Sequence, residues 1–212
     1  MKINNLPSKI PVFPLSNAVF FPRTVLPLNI FEDRYIQLVD DCMKGERLFG
    51  MIQPKIKIGS NPEVYKVGCL GKIISFNETK DKRFLINLSG ITRFKIMEEV
   101  TNQKLYREFK VDYSEFVEDL GDLTTNKINL SPPNLLNKIK NYFNKLSYSV
   151  EFSELEKLSF EQLIDTVCMI SPFTSEEKQK LIETIKAEDK YKILEEIIDF
   201  SLVSHFENKT IQ

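Results

Sequence analysis

The sequence predicts an α+β chain, a curled β-rich unit with one helix followed by a helical bundle, and three observations carry that prediction. Up to Tyr113 the apolar residues come in short runs separated by turn formers. Residues 114–133 are rich in Ser, Thr, Asn, Asp and Pro and show little periodicity, as expected where one compact unit hands over to the next. Beyond Ser131 the apolar residues recur at helical spacing. At a prior of about 150 residues per domain, a chain of 212 residues allows one large unit or two small ones. We place the boundaries at 1–115 for the β-rich unit, 116–133 for a linker and 134–212 for the helices. With 42% hydrophobic and 28% charged residues the chain can bury a core, so intrinsic disorder is excluded as its overall state.

Ile10 to Leu15 is an apolar run interrupted by Pro11 and Pro14, which suits an edge strand or an extended lead-in. In AVFFPRTVLPL, residues 18–28, the prolines forbid a helix and the apolar content argues for an extended, partly buried path. Asn29 with Glu32 offers an N-cap signature, and Phe31, Tyr35, Leu38 and Cys42 continue at helical spacing until Gly45 can end the helix. Leu48 to Gln53 returns to strand. Gly68 to Phe76 pairs with Arg83 to Ser89 across the polar turn NETKDK, and Ile91 to Val100 and Tyr106 to Tyr113 complete about six strands. Such a set covers its edges best by curling into a barrel.

In the second unit, Ser131 and Pro132 start a helix carrying Leu135, Ile139, Tyr142, Phe143 and Leu146. Ser159 with Gln162 and Thr174 with Glu177 form two capping boxes, and Pro172 separates them. Leu163, Val167 and Ile170 follow the first box; Leu181 and Ile185 follow the second. Tyr191, Leu194, Ile198 and Leu202 mark a last helix.

Several chemistries are excluded early. Cys42, Cys69 and Cys168 lie far apart without a CxxC pair, so they read as buried reduced thiols rather than a zinc site or a disulfide framework. A P-loop needs GxxxxGK followed by Ser or Thr, and the single Gly-Lys pair, Gly71 and Lys72, has Lys66 five positions before it and Ile73 after it. His205 is the one histidine, seven residues from the carboxyl terminus, which leaves no imidazole base for a triad. We therefore expect no catalytic residue, no metal and no cofactor. No signal-peptide core and no membrane-length apolar stretch is present, so the expected compartment is the cytoplasm and no membrane partner is expected.

The string IPVFPLSNAVFFPRTVLPLNIFEDRYIQLV, residues 10–39, resembles the opening of the Lon protease amino-terminal domain family. A PL pair, then FP, then PL stand before a charged helix start with RY. The resemblance continues through VGCLGKI at 67–73, LSGITRFKI at 88–96 and EEKQKLIE at 176–183, and so covers nearly the whole chain. Lys190 stands where many members carry Arg. Membership implies a PUA-like β-rich pseudo-barrel subdomain followed by an α-helical bundle subdomain, without the ATPase and protease modules that follow it in Lon. It also implies a role in holding other proteins, as a free-standing adaptor or holding factor for unfolded or apolar segments, with a separate protease as a partner.

On chemistry we expect the binding surface between the FFPR segment and the first helix. Prolines 22 and 27 interrupt strand pairing there, Phe20 and Phe21 point to opposite faces if the pleat alternates, the alternative being that both are buried between barrel and helix, and charged residues stand at the helix start. The expected site residues are Phe21, Pro22, Arg23, Phe31, Glu32 and Arg34. The alternative is RNA binding, because PUA-like barrels elsewhere bind RNA and Lys55, Lys57, Lys80, Lys82 and Arg83 occupy two loops. A pI near 6.0 and the absence of an aromatic-interleaved basic stripe make nucleic acid the weaker reading. Residues 1–115 carry 18 Lys and Arg against 13 Asp and Glu, whereas residues 116–212 carry 11 against 17, a contrast that suits steering partners or bringing the two halves together, and equally a spread of solvated surface charge.

Overall fold

The computed structural model describes residues 3–16, 18–55, 63–121 and 132–207, without the side chains of 132, 133 and 204–207. Six strands form one sheet: β1 (Lys9–Pro14), β2 (Val25–Ile30), β3 (Leu48–Ile52), β4 (Val67–Glu78), β5 (Phe84–Val100) and β6 (Arg107–Asp112). Their order is β2-β5-β4-β3-β1-β6, and β5 pairs again with β6. That second pairing closes a five-stranded ring and leaves β2 on the first half of β5, so the expected barrel is present with one additional edge strand. β5 spans both stretches that the sequence suggested as separate strands; its hairpin with β4 forms as expected, but the strands run further, Glu78 pairing with Phe84 and Phe76 with Ile86, so the turn is shorter than NETKDK.

β1 is not an edge. It pairs parallel with β3 from Val12 onward and antiparallel with β6 from Lys9 to Val12. The two prolines are tolerated for a geometric reason. Val111 N–H donates to Ser8 O at the start of the β1–β6 ladder, so along β1 the even-numbered residues turn their backbone groups towards β6 and the odd ones towards β3. Pro11 thus faces β3 before that pairing begins, and Pro14 faces β6 after β6 has ended at Arg107. Neither removes a ladder hydrogen bond.

Ile10, Val12, Leu70, Phe94 and Phe109 fill the barrel. Gly50 makes room for them, since a Cβ there would lie 2.7 Å from the Phe94 ring. Helix α1 (Asp33–Met43) packs Tyr35, Leu38, Val39 and Cys42 on the outer face of the sheet. It starts later than expected. Asn29 belongs to β2, the N-cap is Glu32 with no side-chain cap bond, and Phe31 is 61% exposed rather than part of the buried stripe. The pairing of Ile30 with Phe84 holds this segment extended up to the cap.

The helices are α2 (Pro132–Lys145), α3 (Phe152–Leu155), α4 (Phe160–Ile170), α5 (Ser175–Glu183) and α6 (Ala187–Glu207). Both capping boxes form: Gln162 N–H donates to Ser159 Oγ and Glu177 N–H to Thr174 Oγ1. Leu135, Ile139, Tyr142, Phe143, Leu163, Val167, Leu181, Leu194 and Ile198 are buried as the spacing implied. Ile185 is not, because α5 stops at Glu183 and the residue falls in the α5–α6 connection, 45% exposed. One apolar cluster runs without a break from Phe13 and α1 through Phe20, Phe21 and Leu88 into these helices.

The stretch expected as a linker begins as structure. Ser114–Leu120 is a 3-10 helix whose Phe116 and Asp119 are buried. Its remainder, 122–131, lies outside the described residues. Phe116 and Asp119 pack there because Asp119 answers a buried cation from β5, Arg93, described next.

Candidate functional site

The expected site residues divide among three environments. Phe20 and Phe21 are both buried, at 2% and 0% exposure, and Pro22 is buried with them. The segment carries no pleat there: it turns, with Thr24 Oγ1 donating to Phe21 O and Arg23 in the left-handed region at φ 61°. Arg23 N–H donates to Gly90 O and Gly90 N–H to Thr24 O, locking the turn onto β5. A Cβ on Gly90 would stand 2.2 Å from Phe21 O, so only glycine lets the chains approach this closely. Phe21 and Pro22 therefore belong to packing and cannot meet an incoming peptide in this conformation, contrary to the expectation from alternation.

Arg23 points into a network that joins the barrel to the helices. The Arg93 guanidinium holds Asp119 through two bonds of 2.9 and 2.8 Å, and the Arg93 backbone N–H adds a third of 2.9 Å. Arg93 also donates to the carbonyls of Ile182, Thr184 and Ile185 at the end of α5, at 3.2, 2.5 and 3.1 Å. Lys190 of α6 donates to Asp165 of α4 at 2.6 Å, and Arg23 reaches Asp165 at 3.5 Å and Asp119 O at 3.1 Å. Burial tends to raise the Asp119 carboxyl pKa, but hydrogen bonds and charge from Arg93 outweigh it and hold the carboxyl below its ordinary range. The cavity among these groups encloses only about 40 Å³, little more than a water molecule needs. It is a clamp, with no room for a client.

Phe31 lies beside the β4–β5 hairpin, where the Arg83 guanidinium stands 5.8 Å from its ring centre. Glu32 and Arg34 form an exposed ion pair of 2.7 Å. Arg34 also lines a large cleft, a groove of about 660 Å³ between the ends of β1 and α1 and the β5–β6 connection. This groove opens where β6 stops short of Pro14. Pro14, Tyr35, Val100, Leu105 and Tyr106 supply apolar wall, and Leu105 is 62% exposed. The wall is held in place: Leu105 N–H donates to Gln37 Oε1 of α1 at 2.8 Å and Tyr106 Oη to Asp41 at 2.9 Å. Burial pushes the Tyr106 hydroxyl up to about 12, so it stays a neutral donor.

Three cations line the groove, each laid on an aromatic ring: Arg34 on Tyr35 at 4.6 Å, Lys104 on Tyr106 at 5.0 Å and Arg107 on Phe109 at 4.9 Å. Arg107 pairs with Glu99 at 2.7 Å, and Lys104 with the buried Glu108 at 3.0 Å. Sequence reasoning missed the β5–β6 half of this wall. The signal was present in KLYREF, residues 104–109, where cations and aromatics interleave, but the stretch is short and its relation to α1 exists only in the closed barrel.

Of the basic residues weighed for RNA, Lys55 pairs with Glu63 at 2.7 Å and Arg83 with Asp81 at 2.7 Å; Lys57 lies outside the described residues, as does the side chain of His205. Among the described residues no group of three or more His, Cys, Asp or Glu could hold a metal, and no helix is long and apolar enough to cross a membrane. Burial pushes the thiols of Cys42, Cys69 and Cys168 upward, as it does for packing cysteines.

Residues 9–199 match the family described as the ATP-dependent protease La (LON) substrate-binding domain. The chain is 26% identical over 211 residues to Lon protease of Syntrophus aciditrophicus, covering 95% of this chain and 26% of that protein. It is 23% identical over 200 residues to Lon protease of Anaeromyxobacter dehalogenans, covering 92% and 23%. The chain thus spans about a quarter of the length of the curated relatives it matches. Among solved structures, the Lon N-terminal domain protein from Xanthomonas campestris superposes with a TM-score of 0.63 at 20% identity, over 89% of this chain and 97% of that one. The N-terminal domain of Mycobacterium avium complex Lon protease gives 0.57 at 15% identity, over 91% and 97%. Those likenesses show the same α+β fold, and with the match over 9–199 they mean that this chain belongs to the Lon substrate-binding domain family.

Proposed function

We propose that this chain is a non-catalytic protein-binding module that holds extended, apolar stretches of unfolded polypeptide in the groove between α1 and the β5–β6 connection. One observation carries the site: the cleft sets an exposed apolar side chain, Leu105, beside fixed polar groups, the arrangement by which small sites bind and orient a ligand. Family membership supports the substrate class. Acting as an adaptor, the chain would pass the held segment to a separate protease; acting as a holding factor, it would keep the segment from aggregating. The buried thiols accord with a reducing compartment such as the cytoplasm.

Fluorescence anisotropy with a labelled, permanently unfolded polypeptide tests this reading. Saturable binding is expected, and Leu105→Ala should weaken it by about threefold to tenfold, the usual size for loss of an exposed anchor of about 1 kcal/mol. Binding untouched by Leu105→Ala would remove the groove from the reading; absence of any binding would remove the function. ATP hydrolysis or casein cleavage that stays proportional to the chain through repurification would overturn its non-catalytic character.

A further inference from the structure

The wall of the groove is lined by more cations than carboxylates. Its lining contributes Arg34, Lys104 and Arg107 against a single carboxylate, Glu99. All three cations lie on aromatic rings, which fixes their heads before any partner arrives and lowers the ordering cost of contacting one.

The three are not equally able to change partner. Lys104 answers Glu108, which is 5% exposed and also receives Lys9 at 3.5 Å and Asn102 at 3.1 Å, so Lys104 is committed. Arg34 instead pairs with Glu32 across an exposed contact, their side chains 48% and 45% exposed. Exposed pairs of that kind are worth little, so a carboxylate entering from a ligand can replace Glu32 at small cost. Arg34 stands at the rim, beside the apolar wall of Tyr35 and Leu105.

We propose that the groove selects extended segments carrying an acidic side chain next to an apolar one, with Arg34 receiving the carboxylate and the Tyr35–Leu105 wall the apolar neighbour. The proposal rests on the reading of the groove as a polypeptide site and adds the chemistry of the segment it takes.

Three labelled peptides test it, identical in an apolar sequence apart from Glu, Gln or Lys at one position. Anisotropy at low salt should show the Glu peptide binding about fivefold to tenfold more tightly than the Lys peptide, as a charge-assisted bond at a partly exposed site allows, with the gap narrowing at high salt. Arg34→Gln should remove most of the gap and Arg34→Glu should invert it. Both variants should melt within about 2 °C of the parent, because the substituted side chain is exposed.

Equal binding of the three peptides, still sensitive to Leu105→Ala, would overturn the charge preference and leave the protein-binding function standing. A preference for Glu that survives Arg34→Glu would overturn the assignment of Arg34. Displacement of the Glu peptide by a single-stranded RNA at lower concentration than by unlabelled peptide would give these cations to phosphates and overturn the proposal. If none of the peptides binds, the proposal falls together with the reading beneath it.

Discussion

Two stretches eight residues apart in sequence, FFPR at 20–23 and FEDR at 31–34, look alike on paper and do opposite things in the fold. Each opens on phenylalanine and ends on arginine. In the first, Phe20, Phe21 and Pro22 are buried and Arg23 is spent on Asp165 and the Asp119 carbonyl. In the second, Phe31 and Arg34 remain exposed and Arg34 borders an open groove. The difference lies in what each stretch meets. FFPR is pressed between β5 and the helices, where Gly90 permits contact and Lys190 stands 5.5 Å from the Phe21 ring. FEDR sits at the end of an edge strand, past the last pairing with β5. A strong sequence signature can therefore mark the packing of the sheet against the helices, while the exposed chemistry beside it carries the weaker pattern.

The sharpest way to break this comparison is to cut the clamp. Asp119→Ala leaves Arg93 buried and without its carboxylate, and loss of one member of a buried ion pair costs about 3–5 kcal/mol. Chemical denaturation should show that loss. The sign of the pH dependence follows from the lowered folded pKa of Asp119: its contribution is fully present above the unfolded carboxylate range near pH 4, and disappears as pH falls through the folded value. The parent should consequently lose more stability than Asp119→Ala when pH is lowered below about 4. Parallel acid loss in the two proteins would show that the clamp contributes nothing through this group.

Phe21→Ala comes next. A phenylalanine buried to 0% exposure costs about 3–5 kcal/mol when truncated to alanine. Because it touches the clamp rather than the groove, the folded fraction should bind unfolded polypeptide as the parent does. Anisotropy corrected for the folded fraction, beside a melting curve, checks both halves. Weakened binding with unchanged melting would return Phe21 to the site and refute the division drawn between the two stretches.

How much of this was legible in the sequence depends on the range of the interactions involved. Capping boxes at Ser159 and Thr174, the β4–β5 hairpin and the buried stripes of α2, α4 and α6 are local, and the sequence declares them. The role of β1 was not legible, since two prolines read as an edge until the lengths of β3 and β6 show that each ring faces a gap. Likewise Arg93 and Asp119 are 26 positions apart, and Arg93 and Thr184 are 91. Nothing in local spacing marks such a bond, and the stretch holding Asp119 was read as linker for its polar composition. Lys190, a departure from the arginine the resemblance implies, pairs with the buried Asp165. For the groove, Arg34 was legible as a charge at a helix start, whereas Leu105 and Tyr106 became visible only once the barrel brought the β5–β6 connection beside α1.

The smallest expected effect is on the exposed side of the comparison. Phe31 is 61% exposed and meets the Arg83 side chain at 5.8 Å, near the outer limit of such contacts, which at exposed sites start at about 0.5 kcal/mol. It does not line the groove. Phe31→Ala should therefore change stability by no more than about 0.5 kcal/mol and leave peptide affinity within about twofold. The same residue type ten positions earlier, Phe21, should cost several times more stability, so the pair measures how far burial alone separates two similar motifs. If Phe31→Ala instead weakens peptide binding about tenfold while melting is unchanged, the binding surface extends from the groove over the end of β2, and the hairpin arginine, Arg83, becomes the next residue to vary.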